Sequence, residues 1–250
     1  MINDNNPAAR LLRILEEAAK RPDNEPILTV WGHVFKLGDQ NPGPVFRYLV
    51  LLGDLADETA KLIKDVPDLQ HDIYLRCIPS VKQGLTHPNL GNVWGNIRVH
   101  FSEKVLAELS FSAEVLSRHS SERPIAPDDL QEIKNAVDGL FEKVLNSSID
   151  TELKEFLLDL LETIRQAVAE YRIRGAKGLT QSVELVLGRL LAFHKRNPGA
   201  ITPGDDATSL LKDFWTIVEQ LDRLTSVALK VKQVAETFTP LLPYLPGMGS

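Results

Sequence analysis

Residues 207–238 read ATSLLKDFWTIVEQLDRLTSVALKVKQVAETF and carry the most regular apolar pattern of the chain. Apolar side chains recur there at alternating spacings of four and three residues, at Leu210, Phe214, Ile217, Leu221, Leu224, Ala228, Val231 and Ala235. This heptad pattern is typical of a helix that packs along a nearly parallel or antiparallel partner helix. We therefore predict one long C-terminal helix. Its partner lies either in the same chain, as in a helical bundle, which we favour, or in a second chain, as a coiled coil.

Helical periodicity continues outward from this segment over almost the whole chain, and no segment shows the alternation of a strand. Asn6 and Pro7 mark the start of the first helix, because they suit the cap and the first helical position. Asp150 is expected to cap a later helix that Gly175 closes with a left-handed backbone, and another helix covers about residues 177–195. The sequence thus predicts an all-α, multi-helix bundle of about eight or nine helices.

A possible division of the chain lies at residues 120–127, which contain two serines and two prolines and offer little to bury. We predict an N-terminal helical subdomain over residues 1–122 and a C-terminal helical bundle over residues 123–250. One continuous domain is the alternative.

The composition excludes several classes of protein. The chain has 28 Lys and Arg against 34 Asp and Glu, a net charge of −6, so duplex nucleic acid is not an expected partner. The single cysteine, Cys77, cannot form an intramolecular disulfide, and its apolar neighbours favour a buried, inert thiol. No run of 18 uncharged apolar residues and no signal peptide is recognisable, so we expect a cytoplasmic protein. No nucleotide-binding or metal-binding motif is recognisable, so we expect no cofactor. The tryptophans are expected in the core, at Trp31, Trp94 and Trp215.

Three short stretches resemble a bacterial group of uncharacterised proteins with predicted helical structure. They are Asn-Pro-Ala-Ala-Arg-Leu at 6–11, the residues from Leu90 to Trp94, and Glu-Tyr-Arg-Ile-Arg-Gly at 170–175. The resemblance implies a bacterial origin and an all-α fold, and it brings no activity, cofactor or catalytic residue. In the last stretch, Arg172 and Arg174 are interpreted as cations in the final turn of a helix, where they complement its dipole.

One pair of residues resembles a catalytic motif. Arg189 and His194 are separated by four residues, as in the R-x4–6-H motif of HEPN ribonucleases. By this resemblance, His194 would act as general acid-base and Arg189 would hold the scissile phosphate in a site shared by two chains. The family often has a polar residue after the arginine, where this chain has Leu190. We therefore favour a histidine that stabilises the helix end.

Two acidic or histidine-containing groups were considered as metal sites. His71 and Asp72 resemble the His-Asp pair of the all-α HD phosphohydrolases, but further ligands are not recognisable. Asp54, Asp57 and Glu58 share one helix face, where charge pairing with Lys61 and Lys64, within the next turn, is the simpler explanation. We predict no metal site.

These observations favour a non-enzymatic helical interaction or adaptor protein of the bacterial cytosol. It would associate with itself or with a protein partner through its C-terminal helices, with contact residues Phe214, Ile217, Leu221 and Leu224. The first alternative is a HEPN-like ribonuclease, a toxin or phage-defence effector that uses Arg189 and His194 on RNA. The second is a membrane-associating effector, whose C-terminal tail is apolar at Leu241, Leu242, Tyr244 and Leu245.

Overall fold

The structure is a computed structural model that describes residues 5–37, 41–197 and 205–225. Within these ranges the chain is helical and contains no strand, which confirms the predicted all-α class. Nine of the described helices have eight residues or more, in agreement with the expected number. The chain forms two compact units. Unit 1 comprises Met1–Pro124 together with Arg172–Gly175, and unit 2 comprises Ile125–Tyr171 together with Ala176–Ser250.

The helices of unit 1 begin with a well-capped segment. The Asn6 side chain accepts a hydrogen bond from the Ala9 amide at 3.0 Å, and Pro7 occupies the first turn, as predicted. The unit contains α1 (Pro7–Ala19), α2 (Ile27–Val34), α3 (Pro42–Lys64), α4 (His71–Leu75), α5 (Ile78–Leu85), α6 (Gly95–Arg98), a 3-10 turn (Val99–Phe101) and α7 (Glu103–His119). Helix α1 packs against α3 and α7.

An aromatic cluster forms the centre of the core of unit 1. Trp31 meets Trp94 edge to face, with ring centroids 5.5 Å apart, and Phe101 stacks on Trp94 at the same centroid distance. All three side chains are at most 1% exposed. The core position predicted for these two tryptophans is confirmed, and Trp215 is likewise buried in unit 2.

The described part of unit 2 is built from four longer helices, one of which includes residues 172–175 of unit 1. They are α8 (Pro127–Leu145), α9 (Thr151–Ala169), α10 (Tyr171–Arg196) and α11 (Asp205–Thr225). Asp150 caps α9, as predicted, because its carboxylate accepts hydrogen bonds from the amides of Glu152 at 2.9 Å and Leu153 at 3.2 Å. Helix α8 packs against both α9 and α11. Their facing apolar side chains form the second core.

The boundary between the units falls at Pro124 and Ile125, two residues after the predicted division at 122. The candidate linker contains one buried side chain, because Ile125 is 7% exposed and its amide donates to the Tyr171 hydroxyl at 2.8 Å. The inclusion of residues 172–175 in unit 1 was not expected from the sequence.

The backbone conformation of Gly175 agrees only in part with the predicted left-handed conformation. Its φ is +62°, so a positive value is found where glycine was expected to supply one. Its ψ is −163°, however, which is not the left-handed helical conformation, and α9 already ends at Ala169. Gly175 thus lies at a kink that separates two helical segments of α10, residues 171–174 and the longer segment from Ala176. Arg172 and Arg174 lie beyond the end of α9 at Ala169, in the short helical segment before this kink.

The predicted long C-terminal helix is described over its first part only. Helix α11 starts at Asp205, close to the predicted start, and is described to Thr225. The predicted remainder, residues 226–238 with the last three heptad positions, lies outside the described residues, as does the apolar tail at 241–245.

Candidate interaction site

The proposed contact residues of α11 lie inside unit 2. Phe214, Ile217 and Leu221 are 1%, 3% and 0% exposed, and all three belong to the core of this unit. Their partner surface includes α8, against which α11 packs. This arrangement corresponds to the internal-bundle alternative for the described part of the heptad pattern. In the folded unit these three side chains are not presented to another molecule.

Leu224, the fourth of these residues, is half-buried and lines a groove of about 270 Å³. The other lining residues come from α8 and α11 and are Asp129, Glu132, Ile133, Gln220 and Arg223. Pockets that enclose drug-sized ligands usually have volumes of about 300–1,000 Å³. This groove is therefore smaller than a typical ligand pocket, and its charged lining residues do not favour the binding of an apolar ligand.

A more accessible apolar surface is found on α10. Leu185 is 53% exposed, although the neighbouring Val186 and Leu187 are buried. Gly188 and Ala192 are also exposed. Gly188 follows Leu185 by three residues and Ala192 follows Gly188 by four, so the three share one face of the helix. A Cβ atom placed on Gly188 would have no described atom within 4 Å. We call Leu185, Gly188 and Ala192 the α10 face.

The α10 face was not singled out in the sequence. The core side of this helix was recognised from Leu179, Val183, Val186 and Leu190, all of which are at most 3% exposed. Leu185 lies off that side, and an apolar residue outside the core periodicity was the available signal. Single exposed leucines are common on protein surfaces, which is why this signal is weak by itself.

The Arg189 and His194 pair lies on α10 beside this face. The guanidinium of Arg189 forms an ion pair with the Asp159 carboxylate on α9, and its Nη1 donates to the Thr163 hydroxyl at 3.4 Å. The side chain of His194 lies outside the described structure, so no Arg–His geometry is available. Arg189 thus has an acidic partner within its own unit.

One residue of each candidate metal group has an ordinary polar partner. His71 Nε2 donates a hydrogen bond to the Val66 carbonyl at 2.9 Å. Asp57 accepts two hydrogen bonds from Lys82, at 2.8 and 2.9 Å, which is charge pairing with a lysine of another helix. Across the described residues, no group of three or more His, Cys, Asp or Glu side chains is arranged to hold a metal ion.

Cys77 is 1% exposed, which confirms the predicted burial. Burial is the main cause that raises the pKa of its thiol to about 11, and the negative charge of Glu108 adds to the effect. A thiol with this pKa stays protonated near neutral pH and is a poor nucleophile.

A buried charge in unit 1 was missed by the sequence analysis. Arg10 is 2% exposed, and its Nη1 donates to Glu122 at 2.8 Å, while its Nε donates to the Ile173 carbonyl at 3.0 Å. These partners lie 112 and 163 positions away in the sequence, so no local pattern could have indicated them.

Comparison with known proteins adds no assignment to these sites. No protein-family profile, no curated protein and no solved structure matches the chain. None of the described helices combines the length and the apolar character needed to span a bilayer.

Proposed function

We propose that this chain is a non-enzymatic helical interaction protein of the bacterial cytosol that associates with a second copy of itself through the α10 face. The observation that supports the proposal is the exposure of Leu185, at 53%, beside Gly188 and Ala192 on the same side of the helix. The proposal keeps self-association on a C-terminal helix and moves it from the buried residues of α11 to an accessible surface.

The small residues of the α10 face favour close approach of another helix. Interaxial distances between packed helices are about 8–10 Å and depend on the side chains at the contact. The open space around Gly188 would let Leu185 of a second copy lie against the helix backbone.

The size of this surface sets the expected strength. A stable interface buries about 800 Å² on each partner, far more than one leucine with a glycine and an alanine can supply. We therefore expect a weak, reversible dimer whose population rises with concentration. Flanking polar side chains would form the rim of the contact.

Sedimentation velocity over a range of concentrations tests the proposal. We expect the unmodified chain to shift from monomer to dimer, and Leu185→Glu to require at least a tenfold higher concentration for the same shift. Leu145→Glu is the matched control, because Leu145 is 48% exposed at the end of α8 in the same unit. Equal behaviour of Leu185→Glu and the unmodified chain, or a monomer at every concentration, would rule out the α10 face.

A further inference from the structure

Residues Arg172–Gly175, which we call the strap, belong to unit 1, although Tyr171 before them and Ala176 after them belong to unit 2. Within unit 1 the strap is held at several points. Arg172 forms an ion pair with Glu17 of α1, and its Nη1 donates to the Val34 carbonyl at the end of α2 at 2.8 Å. These contacts fix the first residue of the strap.

The second residue of the strap is part of the hydrophobic core of unit 1. The Ile173 side chain is 2% exposed and joins the same core as Trp31 and Trp94. Its carbonyl accepts the hydrogen bond from Arg10 Nε. Removing the strap would therefore expose an apolar slot and would leave a buried guanidinium without one of its acceptors. Both changes are unfavourable for unit 1.

Gly175, the last residue of the strap, lies in a space that is too small for a residue with a side chain. A Cβ atom on Gly175 would lie 2.5 Å from both Arg10 Nη1 and Glu122 Oε2. Glu122 in turn is tied to the start of the described chain, because its amide donates to the Asn5 carbonyl at 2.9 Å. The absence of a side chain at 175 lets the strap lie against the buried Arg10 guanidinium and its half-buried partner Glu122.

From these contacts we infer that the strap is an internal peptide ligand, which residues 5–124 bind non-covalently and which completes unit 1. Recognition depends on three features in order: an arginine that reaches an acidic side chain and a helix-end carbonyl, a branched apolar side chain for the core, and a glycine against the buried guanidinium. The covalent connection through residues 125–171 is then not needed to keep the strap in place.

Cutting the full chain in its linker tests this inference. A protease recognition sequence is inserted between Arg123 and Pro124, both of which are exposed, and the purified full-length protein is cleaved there under native conditions. We expect the two fragments to co-elute in size-exclusion chromatography at micromolar concentration. Separation of the cleaved fragments of the otherwise unmodified chain would overturn the inference.

Two variants distinguish the strap from any other attachment of the fragments. Ile173→Ser removes the core contact, and Arg172→Ala removes the polar contacts of a side chain that is 40% exposed, so the second variant is expected to fold. Each should raise the concentration at which the cleaved fragments separate at least tenfold. Arg196→Ala is the charge-matched control, because Arg196 is exposed and donates to the Ala192 carbonyl of its own helix. If Arg172→Ala keeps native circular dichroism and its fragments separate no more easily than those of the control, the inference is wrong.

Discussion

Replacement of Gly175 by alanine perturbs a backbone conformation and a buried ion pair at once. Its φ of +62° and ψ of −163° lie in a region that is essentially restricted to glycine, where a strained residue costs about 1–3 kcal/mol. The added methyl group would also lie 2.5 Å from Arg10 Nη1 and Glu122 Oε2, so this pair must move. A hydrogen bond to a charged group contributes about 1.5–3 kcal/mol. Because the Arg10–Glu122 pair can move and keep part of its interaction, we do not add the two costs in full. We expect Gly175→Ala to lower the free energy of unfolding of unit 1 by about 3 kcal/mol.

Urea unfolding followed by tryptophan fluorescence measures this effect. In a Trp215→Phe background the remaining tryptophans, Trp31 and Trp94, both report on unit 1. Because the slope of unfolding is about 1–3 kcal/mol per molar urea for small domains, the midpoint should fall by about 1–3 M. The matched control is Gly53→Ala in α3, where no described atom lies within 4 Å of the new methyl group and φ is negative. That substitution should stabilise the unit by about 0.5–1 kcal/mol.

The two substitutions are expected to change the free energy of unfolding in opposite directions, so their comparison tests the reasoning directly. Both changes add one methyl group to a glycine within the span of a long helix, but the backbone of Gly53 is helical and that of Gly175 is not. If Gly175→Ala proves neutral or stabilising, or if it matches Gly53→Ala, then neither the strained backbone nor the close contact with Arg10 operates as described.

Two further measurements test buried groups. Burial raises the pKa of Asp222 above its ordinary value, and its Oδ1 finds no hydrogen-bond partner among the described residues. Such a carboxyl contributes full stability below its unfolded pKa, and this contribution is lost as the pH rises through the folded value. Asp222→Asn should therefore raise the urea midpoint more at pH 7 than at pH 4, and an equal effect at both would contradict the assignment. With a pKa of about 11 and 1% exposure, Cys77 should not react with a disulfide reagent at pH 8 until the protein is unfolded; rapid labelling of the native chain would show that the thiol is accessible.

Local features of the fold were predictable because they depend on neighbouring residues. The cap at Asn6 and the cap at Asp150 follow from residue type and position, and both are found. The core positions of Trp31 and Trp215 follow from apolar periodicity within single helices. The caps and the apolar spacing relate residues within one or two helical turns of each other, and such short-range relations can be recognised in a sequence.

Features that depend on distant residues were not predictable. The sequence assigned Arg10 to neither the core nor the surface. Its buried position depends on contacts with Glu122 and Ile173, which lie far from it in the sequence. The glycine at 175 indicated an unusual backbone conformation, but no local pattern indicated that a buried guanidinium lies against it. For α10, the periodicity identified the core side correctly and left the exposed side, with Leu185, without an assignment.

The position of the strap has a consequence for synthesis of the protein on the ribosome. Unit 1 contains residues up to Pro124, yet its last piece ends at Gly175, 51 residues later. At a translation rate of about 5–20 residues per second, this delay is about 3–10 s. During that interval the slot for Ile173 is open and the Arg10 side chain lacks one acceptor. The nascent chain thus exposes an apolar slot until residues 172–175 have been synthesised. During this delay of seconds, the slot would offer a chaperone a binding surface.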